Sequence, residues 1–207
     1  MSAPRRFTDW LAAYTFVDRR GRLPAGLRLN IHSRSDAHSK QLGRFIVLDL
    51  LATCDVLREH AARGQIVYGI NYRYRWPSGK TKTLDLAIGI PHEPLGAPDG
   101  APIHEVAAAQ VPMEYLLFAC EEKTVLTEHV GSQPRIYSEL NDAHTIVHQG
   151  NRASIAAGIT AVNIAERFVS PLRQRPHDPV VVTEHAQPAV AKAMIQHLRQ
   201  LPIRAGI

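Results

Sequence analysis

Three charged side chains, Asp85, Glu121 and Lys123, stand in segments that are otherwise largely apolar. In TKTLDLAIGIP the period of two puts Leu84, Leu86, Ile88 and Ile90 on one face of a strand, and Asp85 on the other with only Ala87 and Gly89. A carboxylate beside two small residues has open space above it. In EYLLFACEEKTV the same period puts Glu121 and Lys123 on the face of Leu117 and Ala119. Glu122 goes to the opposite face with Leu116, Phe118 and Cys120. If the two strands are neighbours, Asp85, Glu121 and Lys123 converge. Two carboxylates give Mg²⁺ the hard oxygen ligands it prefers, and such an ion acidifies a bound water and stabilises charge developing on a phosphate. An ammonium alongside can orient or help deprotonate the attacking water and neutralise negative charge in the transition state. Acid, acid and lysine are what phosphodiester hydrolysis requires.

The elements that must position these residues can be read from periodicity. Residues 64–76 (GQIVYGINYRYRW) are rich in β-branched and aromatic residues, PSGK supplies turn chemistry, and residues 81–91 continue as the second strand of a hairpin. A Gly/Pro/Ala-rich excursion over 92–112 separates this hairpin from a third strand at about 114–125. Before the hairpin, residues 41–62 read as one core helix, with Gly64 as its stop. After the third strand, residues 134–149 read as a helix. Pro134 suits its first turn, Ile136, Leu140, Ala143 and Val147 form an apolar stripe, and Gly150 ends it. Residues 154–164 read as a buried strand, PVVVT as one more, and 188–201 as a closing amphipathic helix. Residues 7–17 suit a short amphipathic helix and 18–40 are irregular and basic. The expectation is an α/β fold with a central mixed sheet flanked by helices: an arm over 1–40 and one α/β domain over 41–207.

A strand-borne Asp85, then Glu121-Glu122-Lys123 on the next strand, then a helix and a strand, resembles the core of the PD-(D/E)XK, or restriction-endonuclease-like, nucleases. The likeness covers about residues 41–165, with the order helix, hairpin, strand, helix, strand. It departs from the pattern in having Leu84 rather than proline before Asp85, and in the 35 residues between Asp85 and Glu121. The resemblance implies Asp85 and Glu121 as metal ligands, Lys123 as the catalytic lysine and Mg²⁺ as cofactor, with Mn²⁺ able to substitute. It implies DNA as substrate and 5′-phosphate products, and the small chain with its basic arm suggests a restriction or phage-related role. Cleavage of both strands would require a homodimer or two successive nicks.

Other residues fall around this core. Asp49 interrupts the apolar run FIVLDLLA, where a carboxylate is costly unless paired or bound to metal. It is the expected first-helix ligand, with Asp55 and Glu59 as rivals. The second helix carries Tyr137, Asn141, His144 and His148 on one face, and Glu139, Asn141 and His144 are expected as supporting partners. His144 and His148 have the i, i+4 spacing of zinc ligands, but HTIVH lacks the glutamate of H-E-x-x-H; a histidine-metal hydrolase stays as an alternative. In NYRYRWPSGKTK the cations Arg73, Arg75, Lys80 and Lys82 have no acid among them, and Tyr72, Tyr74 and Trp76 alternate with the arginines. One face is aromatic and the other cationic, as a grip on a phosphate backbone requires. Arg34, Lys40 and Arg44 extend the expected nucleic-acid surface, and Glu128 and His129 fall just beyond the third strand.

Charge supports a polyanionic partner. Residues 1–43 hold eight Lys or Arg against three acids, which equals the whole net charge of +5. Two cysteines, Cys54 and Cys120, lie in apolar runs, as buried, reduced thiols of a cytoplasmic protein would. No secretory signal is visible, and no run approaches the roughly 18 apolar residues of a membrane span. The expectation is a cytoplasmic metal-dependent deoxyribonuclease; the alternative within the same fold is a nucleic-acid-binding protein without catalysis.

Overall fold

A computed structural model describes residues 2–12, 36–125, 129–164, 167–169, 182–184 and 188–200. The order of elements is α1 (Ala3–Ala12), α2 (Ala37–Thr53), α3 (Asp55–Ala62), β1 (Val67–Arg75), β2 (Thr81–Pro91), β3 (His104–Glu105), β4 (Met113–Val125), α4 (His129–Gly150), β5 (Ile155–Val162), β6 (Arg167–Val169), β7 (Val182–Glu184) and α5 (Pro188–Arg199). The main sheet is mixed, in the order β3-β1-β2-β4-β5. β1, β2 and β4 are antiparallel neighbours, β5 runs parallel to β4, and β3 runs parallel to β1. β6 and β7 form a separate antiparallel pair. The α/β class with a helix-flanked mixed sheet is as expected. No described helix is long and apolar enough to cross a membrane.

The hairpin forms where the turn residues place it, with Gly79 at φ +85 and its amide bonded to the Trp76 carbonyl at 2.9 Å. Several elements differ from the sequence reading. The helix expected over 41–62 starts earlier, at Ala37, and breaks at Cys54, whose backbone is extended (φ −120, ψ 102) and which the break leaves exposed rather than buried. The 92–112 excursion contains the short β3. α4 begins before Pro134, which lies inside it. The first helix, Ala3–Ala12, starts before the expected residue 7; residues 13–35, with the rest of the expected 7–17 helix and Arg34, lie outside the described residues, as do 126–128 with Glu128. β5 is half-exposed rather than buried, with Ile155 63% exposed, because it is the outermost strand.

Each face of the sheet carries its own core. On one, Leu42, Ile46, Val47 and Leu51 of α2 pack with Tyr68, Leu86, Ile88 and Cys120. On the other, Val147 of α4 packs with Tyr72, Tyr74, Trp76, Leu84, Ala87, Leu116 and Ala119. Leu84 and Leu86 therefore lie on opposite sides, against the expected shared face. The cause is a change of side at one rung. Ile70 pairs with Leu86 and both face α2, whereas Tyr72 pairs with Leu84 and both join the α4-side cluster. Between them stands Asn71 at φ +50, a conformation Asn tolerates better than most residues. Asp85 is at the same rung of β2. A register shift between Ile88 and Gly89 likewise brings Leu116 to the α4 side, apart from Phe118.

Candidate functional site

The β2–β4 ladder stops at Leu86–Cys120, although both strands continue. Beyond it the Glu122 backbone amide donates to Asp85 Oδ2 at 2.8 Å, so a side chain takes the place of a strand partner. Into this fork project the side chains that the sequence singled out. Lys123 Nζ donates to Glu121 Oε1 at 2.6 Å and lies 3.7 Å from Asp85 Oδ2. It also lies 3.0 Å from Glu139 Oε2, which arrives from α4. One ammonium thus meets three carboxylates from β2, β4 and α4. Lys82 Nζ stands 4.0 Å from the other Glu121 oxygen, Oε2, which is buried and makes no hydrogen bond.

Burial raises the pKa of Glu121 above its ordinary value, and the hydrogen bond from Lys123 opposes the rise without cancelling it. Burial works against charge on Lys123, but the bonds to Glu121 and Glu139 outweigh it and its pKa is raised. Lys123 is therefore an ammonium at neutral pH. Glu122, 4% exposed, points to the α2 side, where its Oε1 would lie 2.9 Å from a Cβ on Gly43. Neither of its oxygens makes a hydrogen bond. Desolvation first, and then the negative charge of Asp85, push its pKa to about 8, with the Gly43 backbone opposing in part.

The structure brings Asp85, Glu121 and Lys123 together, and adds Glu139 in direct contact rather than at one remove. The signal for Glu139 lay on α4: three residues after Ile136 and four before Ala143, it flanks the stripe that faces the sheet. Asp49 is placed elsewhere. Its carboxylate accepts the backbone amide of Ala3 at the start of α1. Its rivals are surface pairs on α3, Asp55 with Arg58 and Glu59 with Arg63. On α4, Asn141 is half-buried, and the His144 and His148 rings are 4.4 Å apart.

The hairpin splits. Arg73, Arg75 and Lys80 are exposed, as a phosphate-binding surface needs, whereas Lys82 pairs with Tyr74 across the ladder and turns toward Glu121. The aromatic face is core: Tyr72, Tyr74 and Trp76 are each under 5% exposed, and Gly150 lies against the Trp76 ring with no room for a side chain. Lys40 is paired with Asp36 at 2.7 Å. Arg44 forms a two-pronged bond to Glu105 at 2.8 and 2.9 Å, to which the Tyr68 hydroxyl also donates. These two cations hold the protein's own acids.

Among the described residues no group of three His, Cys, Asp or Glu side chains is set at chelating distance. Mg²⁺ asks for less, since one or two carboxylates with waters and substrate oxygens suffice. Asp85, anchored by an amide, and Glu121, with one oxygen buried and unbonded, form an all-oxygen donor set that fits it. No family model, curated protein or solved structure matches the chain.

Proposed function

We propose that the chain is a Mg²⁺-dependent endonuclease that hydrolyses phosphodiester bonds of DNA. The observation that carries this reading is the meeting of Asp85, Glu121 and Glu139, from three separate elements, around the Lys123 ammonium. Sites that cleave phosphodiesters concentrate such charge where water is partly excluded, because there each interaction is stronger than in bulk solvent. Asp85 and Glu121 would hold the ion, which supplies Lewis acidity to the phosphate and a more acidic bound water. Apart from the short α3 and β3, the elements from α2 to β5 follow the helix, hairpin, strand, helix, strand order expected of a PD-(D/E)XK core, and this supports the same assignment.

The chain's own groups have distinct tasks in this reading. Asp85 is oriented by the Glu122 amide, so its carboxylate does not need to be ordered by substrate. Lys123, an ammonium in the free protein, donates hydrogen bonds to the attacking water or to a phosphoryl oxygen and stabilises negative charge there. Lys82 is placed to meet a phosphate beside Glu121, and Arg73 and Arg75 to meet flanking phosphates. Products with 5′-phosphates, a restriction or phage-related role and a dimer acting on both strands complete the proposal.

Incubation with supercoiled plasmid and Mg²⁺ or Mn²⁺ tests it, with EDTA as control. The wild type should nick the plasmid, and Lys123→Ala and Asp85→Ala should each lose on the order of 100-fold or more in rate. Equal nicking by wild type and variants would assign the activity to another site. Retained DNA binding without any cleavage would make the chain a binding protein.

A further inference from the structure

We infer that Glu139 is the third carboxylate of the cation site, and that in the free protein the Lys123 ammonium stands in the place of the ion. The inference builds on the proposed cation site at Asp85 and Glu121. Around Lys123 Nζ lie Glu121 Oε1 at 2.6 Å, Glu139 Oε2 at 3.0 Å and Asp85 Oδ2 at 3.7 Å, and its side chain is only 18% exposed. Protein oxygens rather than bulk water therefore surround the charge. Without that ammonium, three carboxylates would face one another with only Lys82, 4.0 Å from Glu121, at their rim. Such an arrangement strongly favours a cation.

A second observation points to a ligand. The Glu121 side chain is 9% exposed, and its Oε2 is buried without a hydrogen bond, an oxygen with unused lone pairs already at the cluster. The carboxylate expected from the first helix does not serve here, because Asp49 accepts the Ala3 amide. Glu139 fills that part from the other side of the sheet. Its second neighbour, Arg135, lies 3.8 Å away but is 69% exposed, so solvent screens that pair.

The arrangement has a thermodynamic consequence. A divalent ion can enter only by breaking the contacts of the ammonium, so that free energy is subtracted from its binding. The flexible four-carbon stem keeps the displaced amine within reach, beside the ion. Removing the amine removes the competitor and leaves one more uncompensated negative charge.

Mn²⁺ titrated into the purified full chain without nucleic acid, followed by calorimetry and by electron paramagnetic resonance of the free ion, provides the test. Lys123→Met should bind one Mn²⁺ at least roughly tenfold more tightly than wild type. Adding Glu139→Gln to that variant should return roughly tenfold of the gain, and adding Asp49→Asn should return none. Thermal melts check that each variant folds, and Lys123→Gln serves the same comparison if methionine is not accepted. Affinity unchanged in Lys123→Met and Lys123→Gln would overturn the placeholder. A loss with Asp49→Asn but not with Glu139→Gln would return the third carboxylate to α2. Plasmid cleavage by a wild type whose affinity Lys123→Met leaves unchanged would sink this inference alone. Tight Mn²⁺ binding by Lys123→Met in a protein that cuts nothing would sink the nuclease reading alone.

Discussion

Glu122 sits between the site's chemistry and the fold's stability. Its amide fixes Asp85, while its carboxyl is buried against α2 with neither oxygen hydrogen-bonded. Its pKa in the folded chain is about 8, against an ordinary 4.5, so folding favours the proton. Below about pH 4.5 the group is neutral folded or unfolded and adds no penalty. As pH rises toward 8 the unfolded chain ionises freely and the folded one resists; above 8 the penalty is complete. Glu122→Gln removes the ionisation while nearly preserving shape. In EDTA, thermal melts should show little change at pH 5 and a gain on the order of 3 kcal/mol at pH 9. Equal effects at both pH values would mean that the buried carboxyl is not the cause. At this scale the sequence was informative about Asp85, Glu121 and Lys123, because strand period two exposes charges that interrupt apolar faces. It was silent about the change of side at Asn71 and Asp85, since an Asn tolerates a positive φ without requiring one.

Gly43 shows how closely an element must approach to build the site. A Cβ there would lie 2.8 Å from Ile70 Cδ1 and 2.9 Å from Glu122 Oε1, so α2 rests on the sheet through a residue without a side chain. In an exposed helix, Gly→Ala would stabilise by about 1 kcal/mol through backbone entropy. Here overpacking of about 1–3 kcal/mol opposes it, because Ile70 Cδ1 and Glu122 Oε1, the ends of two side chains packed against α2, must both give way. Gly43→Ala should therefore fail to raise the denaturant midpoint, with a net loss of up to about 2 kcal/mol; a raised midpoint would show that the gap is looser than the geometry states. The helices themselves were legible from their apolar stripes, but their ends were not. The break at Cys54 falls in LATCD, where no Gly or Pro announces it, and α4 runs through a proline that reads as a start. β3 is two residues long and exists through distant partners, its Glu105 bonded to Arg44 and Tyr68, so no local period could reveal it.

Across the whole molecule the sequence distinguishes basic segments, but only the fold distinguishes free cations from engaged ones. A cation contributes to the salt dependence of nucleic-acid binding when it neutralises a phosphate and releases that phosphate's counterion. One already neutralised by a protein carboxylate releases little, because its bond to the acid must first be broken. Arg73 and Arg75 are exposed, with Thr83 and Thr81 as their cross-strand partners and no acid beside them on the strand. Arg44 is committed to Glu105 through two hydrogen bonds, which also hold the Glu105 carboxyl below the usual carboxylate range. Binding of a labelled duplex, measured over a range of salt in EDTA, should separate the two kinds. Replacing Arg73 and Arg75 with Gln should weaken affinity by a similar factor for unrelated sequences and flatten the plot of log K against log salt by about two units of slope. Arg44→Gln should leave that slope unchanged, and should lower thermal stability instead, since Glu105 loses its partner. A slope that falls with Arg44→Gln and not with the hairpin pair would move the nucleic-acid surface from the hairpin to the side of α2.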